Sequence, residues 1–148
     1  MRLLSCANRI EAPLRSRLRD RFGGSLPRFD LMAQLDRHPQ GLKMRDLSER
    51  LMVTGGNVTG LTNRLVAEGL VQRRDDAQDR RATTVSLTVE GKRQFRIMAA
   101  EHEAWIADLL GGMTADEQAL LFDLLGRLKG VLPAAQAPVR RRARPDPR

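Results

Sequence analysis

Side chains suited to catalysis or metal binding are scarce in this sequence. Cys6 is the single cysteine, and His38 and His102 are the two histidines. One thiol cannot close an intramolecular disulfide or supply a multi-cysteine zinc site. The histidines lack HExxH spacing, and no P-loop, dinucleotide glycine set or nucleophile elbow occurs. No enzyme chemistry, cofactor or metal is therefore expected. Cys6 reads as an inert, partly buried thiol. His102, near the apolar side of its helix, reads as a hydrogen-bonded structural residue.

A different chemistry is concentrated between residues 54 and 81. Val58, Leu61 and Leu65 recur at helical spacing and face a core. The other side of that helix carries Gly55, Gly56, Asn57, Thr59, Gly60, Thr62, Asn63 and Arg64, with Thr54 just before it. Small residues at 55, 56 and 60 would let backbone approach DNA closely. Asn57, Thr59, Thr62 and Asn63 can exchange hydrogen bonds with base edges or phosphates. An ordinary solvated face would more often hold Glu, Lys and Ala, which form helix better than glycine and threonine. Further on, Arg73, Arg74, Arg80 and Arg81 cluster on a hairpin. An arginine at its tip can enter a minor groove, and Asp79 can orient Arg81 through an ion pair. Alone, the hairpin would read as a solvated loop of mixed charge; beside the helix, contact with DNA is the better reading.

Periodicity supplies the elements that would position these residues. A helix is expected over about 3–21, ended by Gly23 and Gly24, and a second begins at Ser25 as N-cap with Pro27 in its first turn. A short helix over 44–51 (Met44, Leu47, Leu51) and a second over 55–68 are joined by residues 52–54. In such a pair the second helix can lie in a major groove while the first braces it. Gly69 is placed to end the second helix in a left-handed conformation. Residues 70–74 and 83–87 form a two-stranded ribbon with a polar tip. Thr88 caps a long helix bearing Phe95, Met98, Trp105 and Leu109, and Gly111 and Gly112 interrupt it. Thr114 and Glu117 are spaced as a capping box for a last, leucine-rich helix.

Composition narrows the class without naming a function. The 148 residues are 41% hydrophobic, enough for a core, and no apolar run approaches the length of a membrane helix. The N-terminus does not read as a secretory signal, so a cytoplasmic protein is expected. Net charge is +8, yet it resides at the ends: residues 1–29 carry seven Arg against Glu11 and Asp20, and residues 139–148 five Arg against Asp146. Arginine accounts for 23 of 26 basic residues, which suits phosphate and carboxylate forks but equally reflects a GC-rich genome.

The ordered set LSERL (47–51), TGGNVTGLTNRL (54–65), EGLV (68–71), DRR (79–81) and VSLT (85–88) with Gly91 resembles the MarR family of regulators. SLPRFDL (25–31) is similar to the start of that family's second helix, and the resemblance covers about residues 10–132. It implies a mainly α (α+β) winged helix-turn-helix protein. Residues 1–24 and 89–132 would be dimerisation helices, 25–88 the DNA-binding domain, and 133–148 a basic, disordered tail. The partners implied are a second copy and a palindromic double-stranded DNA operator. By position, Arg81 resembles the wing arginine that enters the minor groove, Asp79 its orienting partner, and Arg64 a basic residue of the recognition helix. The N-terminal arm is short for the family, which leaves its share of the dimer open. Redox sensors of this family pair an N-terminal thiol with tyrosines, and this chain has none.

The C-terminal helix supports a dimer independently. Leu and Val occupy seven positions in 120–132, more apolar surface than one side of a small domain covers, although core packing competes for some. The family also implies a small anionic or aromatic effector. Arg15, Arg17 and Arg19 could present guanidinium groups to a carboxylate or phosphate, with Phe29, Met32 and Trp105 as apolar walls; a solvated basic face is the alternative. The overall look resembles members controlling aromatic-acid catabolism, some answering to aromatic acyl-CoA thioesters. Two other readings stay open: an architectural protein binding DNA without sequence choice, and a ligand-binding dimer that no longer binds DNA.

Overall fold

The computed structural model describes residues 1–51, 55–75 and 83–132. Helix α1 (Arg2–Phe22) leads into α2 (Leu26–Asp36), then strand β1 (Leu42–Lys43), α3 (Met44–Leu51) and α4 (Gly55–Ala67). The ribbon β2 (Val71–Asp75) and β3 (Thr83–Leu87) follows, then α5 (Val89–Leu109) and α6 (Ala115–Val131). Capping fixes most of these boundaries. Ser25 Oγ accepts from the Arg28 amide, Thr88 Oγ1 from the Gly91 amide, and Thr114 and Glu117 satisfy each other reciprocally. Inside α1, Pro13 has no N–H to offer the carbonyl one turn back, and the helix runs through it.

The expected ribbon gains a third strand. β1 pairs with β3 antiparallel, Leu42 opposite Val85, giving the order β1-β3-β2. Two residues are too few to show alternation, so this strand left no periodic signal in the sequence. The pairing places the start of α3, which follows β1 directly, against the sheet.

One core joins these elements. Leu18 of α1, Leu31, Met32 and Leu35 of α2, Leu47 of α3, Val58 and Leu65 of α4, Val85 of β3 and Phe95 and Met98 of α5 share a single cluster. α6 contributes no buried residue: Phe122 is 83% exposed and Val131 79%, while Leu120, Leu124, Leu125 and Leu128 are exposed as well. Leu3 and Leu4, at the other end of the chain, are also exposed. Among the described residues, no helix is long and apolar enough to cross a membrane. Residues 133–148, expected as a basic tail, lie outside those described.

Candidate nucleic-acid interface

The two sides of α4 differ sharply in burial. Val58, Thr62 and Leu65 are fully buried, whereas Asn57, Thr59, Asn63 and Arg64 are exposed. Thr62 therefore leaves the predicted contact surface. It stands four residues after Val58 and three before Leu65, within the inward stripe, and its Oγ1 donates to the Val58 carbonyl at 2.8 Å. A threonine can enter a core this way because its hydroxyl is satisfied inside its own helix. Gly60 faces open space, with no atom within 4 Å of where a Cβ would stand. Gly55 begins α4; Thr54 lies outside the described residues.

The ribbon stands beside this face. Arg73 and Arg74 are exposed on β2, opposite Val85 and Thr84 of β3. Successive strand residues point to opposite faces, and Arg73 is the one that reaches α4: its Nη2 donates to Asn63 Oδ1 at 2.5 Å. Asp79, Arg80 and Arg81, predicted at the tip, lie outside the described residues.

Three contacts hold α4 in place. Gly69 ends it at φ 72°, and Leu70 N returns to the Leu65 carbonyl at 2.9 Å. Thr88 Oγ1 donates to the Gly69 carbonyl at 2.7 Å, tying α5 to the end of α4. Arg28 of α2 pairs with Glu68 at 2.5 Å, and its side chain is only 19% exposed. Sequence reading missed this last pair, since residues 40 apart leave no local signal.

The predicted effector residues separate into two groups. Met32 is wholly enclosed, and Phe29 packs on Phe95 at 5.5 Å and stacks on His102 at 4.4 Å, so both are core rather than cleft wall. Among the described residues His102 has the Phe29 ring rather than a hydrogen bond as its partner, and burial pushes its imidazole below the ordinary range. Arg15 is held by Glu11 at 2.6 Å, and Arg19 by Asp20 at 3.5 Å. Burial raises the Asp30 carboxyl, helped by Glu11 and opposed by Arg15. What remains is a recess of about 370 Å³ lined by Arg17, Asp20, Arg21, Glu101 and Trp105. Arg21 is paired with Glu101 at 2.9 Å. Arg17 is held loosely, 3.8 Å from Asp108 and 5.9 Å from the centre of the Trp105 ring, and its Nη1 is buried without a hydrogen bond among the described residues. Of the three arginines, Arg17 rather than Arg15 or Arg19 lines this recess.

A family model described as MarR family matches residues 22–82. The chain is 30% identical over 107 residues to the uncharacterized HTH-type transcriptional regulator YdgJ of Bacillus subtilis, covering 72% of this chain and 65% of that one. Across the first curated relatives the match spans 51% to 65% of their length. Among solved structures, the PcaV transcriptional regulator from Streptomyces coelicolor in complex with its natural ligand superposes with TM-score 0.71 at 27% identity, covering 84% of this chain and 89% of that one. Sco3205 of the same organism, a MarR family transcriptional regulator in complex with DNA, gives TM-score 0.80 at 24% identity, covering 92% and 88%. The fold is thus a mainly helical winged helix-turn-helix, and the matched relatives are transcriptional regulators rather than enzymes.

Proposed function

Because the chain belongs to the MarR family, we propose that it is a ligand-responsive transcriptional regulator that binds a palindromic operator as a homodimer. The observation that carries this is the exposed polar face of α4, where Asn57, Asn63 and Arg64 stand with Arg73 of β2 beside them. α4 is the recognition helix, entering the major groove, and the hairpin arginines, Arg81 foremost with Asp79 orienting it, lie along the adjacent minor groove. Residues 25–88 form the DNA-binding unit, while α1, α5 and α6 pair with a second copy. Two-fold symmetry then sets half-sites about one helical turn apart, roughly 34–36 Å.

The effector is a small anionic aromatic molecule seated against Trp105 with its carboxylate on Arg17. A recess of about 370 Å³ suits an aromatic acid; the bulk of an acyl-CoA thioester would extend beyond it. Such a ligand releases DNA if it binds better to a dimer whose recognition helices are wrongly spaced, since it shifts the state ratio only by its differential affinity. The protein works in the cytoplasm and represses by occupying the operator, with control of aromatic-acid catabolism as the outcome.

The deciding measurement is fluorescence anisotropy with the protein's own upstream region and with random DNA, across a salt series. A repressor keeps a specificity ratio of about 10³ or more. A ratio near one that falls uniformly with salt would make the protein an architectural binder. No retardation of either DNA would leave a ligand-binding dimer. Thermal-shift screening of aromatic acids and their CoA esters, against wild type and Arg17→Met, tests the effector; no stabilisation by any would remove it.

A further inference from the structure

Arg73 and Asn63 are ten residues apart in sequence, on different elements, and joined by a 2.5 Å hydrogen bond at the exposed edge of α4. A guanidinium has only donors, so the atom facing it must be the amide oxygen. Arg73 itself is held by the strand ladder: two rungs away, Val71 and Leu87 are a buried pair. Asn63 therefore meets a cation borne by a fixed strand position, and the contact admits one of its two amide orientations.

We propose that Arg73 is a specificity-determining positioning residue, which commits Asn63 to contact DNA as a hydrogen-bond donor through Nδ2. The inference rests on the assignment of α4 as the recognition helix. Asn63 shares a helix face with Gly60, the spacing being three residues, and Gly60 fronts open space. A free asparagine offers an acceptor and a donor together, which is the pair that adenine N6 and N7 require. Here the oxygen is engaged by a cation. That engagement weakens it as a further acceptor and polarises the amide N–H as a stronger donor. The acceptors this donor suits best are guanine O6 with its neighbour N7, and thymine O4, because adenine sets an N6 donor beside its single N7 acceptor; a phosphate oxygen would also accept.

The test is a double-mutant cycle on the full dimer, read as affinities for operators carrying each base at every half-site position. Variants are Asn63→Ala, Arg73→Lys, Arg73→Met and the pair Asn63→Ala with Arg73→Met. If the acceptor is a base, wild type prefers G or T over A at one position by roughly three- to tenfold. Asn63→Ala and Arg73→Met both lose that preference, and Arg73→Lys, still a donor, keeps it. If Asn63→Ala instead weakens all sequences alike, the acceptor is a phosphate and the specificity-determining role is overturned. Effects of the two residues that simply add across the operator series, or an Asn63-dependent preference for adenine, would overturn the proposal as well. Failure of wild type to discriminate any operator would instead overturn the recognition-helix assignment, and the parent's own curves reveal that case.

Discussion

The backbone of Gly91 passes so close to Leu70 that a Cβ at residue 91 would stand 1.9 Å from the Leu70 carbonyl oxygen. That oxygen also accepts from the Thr88 amide at 3.0 Å, and Thr88 Oγ1 accepts from the Gly91 amide at 2.9 Å. The first turn of α5 is thereby pressed onto the link between α4 and β2. In this way the long helix meets the link between α4 and β2 through backbone, with little freedom to slide.

Gly91→Ala is expected to destabilise the fold by about 3 kcal/mol, the upper range for forcing atoms into a filled space. The obstructing atoms are backbone, which cannot rotate away. Urea titration of wild type and variant measures it. A change below about 0.5 kcal/mol would mean that α5 sits further from Leu70 than described.

Glu68 and Arg28 give an asymmetric prediction. Arg28 is the more buried partner, at 19% side-chain exposure against 43%, and its Nε is buried without a hydrogen bond among the described residues. Glu68→Ala strands a desolvated guanidinium and is expected to cost about 1–3 kcal/mol, discounted towards the lower end because Glu68 is partly wet. Arg28→Met leaves a carboxylate that water can reach, and packs a similar stem, so it should cost less than about 1 kcal/mol. Equal losses in the two variants would refute the asymmetry.

Legibility in the sequence followed range and size. Caps at Ser25, Thr88 and Thr114 use residues three apart and were readable, as was the left-handed Gly69. Leu42 opposite Val85 is a pairing between distant residues in a strand of two, and nothing local encodes it. Thr62 reads as outward by its polarity and as inward by its spacing from Val58 and Leu65, and the spacing prevails because its hydroxyl is satisfied within the helix. Met32 and Phe29 were apolar in the right part of the chain, but the sequence could not say whether they line a cleft or fill one. The outward residues of α4 were legible as chemistry, while the Arg73–Asn63 contact required coordinates.

Thr62 and Asn57 should now behave oppositely. Thr62→Val removes an intrahelical hydroxyl bond within a full core, so a stability change of at most about 1–2 kcal/mol and unaltered operator affinity are expected. Asn57→Ala changes an exposed side chain, leaving the melting curve in place while operator affinity drops by roughly tenfold. Circular dichroism and anisotropy on both variants separate the roles. Operator loss in Thr62→Val alone would return that residue to the interface.

His102 makes stability depend on pH. Burial against Phe29 lowers its folded pKa, while the unfolded chain titrates near about 6.5. Below that value the unfolded state binds the extra proton, so stability is full above it and is lost as pH falls. The melting temperature should decline as pH falls through about 6.5, and His102→Gln should flatten this part of the profile. Asp30 acts with the opposite sign, its raised folded pKa favouring the protonated native form as pH falls. An identical slope in His102→Gln and wild type would remove His102 as the source.

The apolar residues of α6 lead to the last prediction. Phe122, Leu124, Leu128 and Val131 are exposed on a helix with no buried residue, and Leu3 and Leu4 are equally uncovered on α1. Each such side chain gains roughly 1.5–3 kcal/mol on leaving water. Among the described residues nothing covers them, because the core is already closed by α1 to α5. A second copy brings an identical stripe, and two-fold pairing lets each α6 meet its equivalent or the other's α1. Leu124→Asp with Leu128→Asp should therefore give monomers at concentrations where wild type sediments as a dimer. Because two half-sites must be held at a fixed separation, the same variant should lose operator binding by at least about a hundredfold while α1 to α5 still melt cooperatively. A charged α6 that left both sedimentation and operator affinity unchanged would show that the helix faces solvent in the working protein and that some other surface joins the two copies.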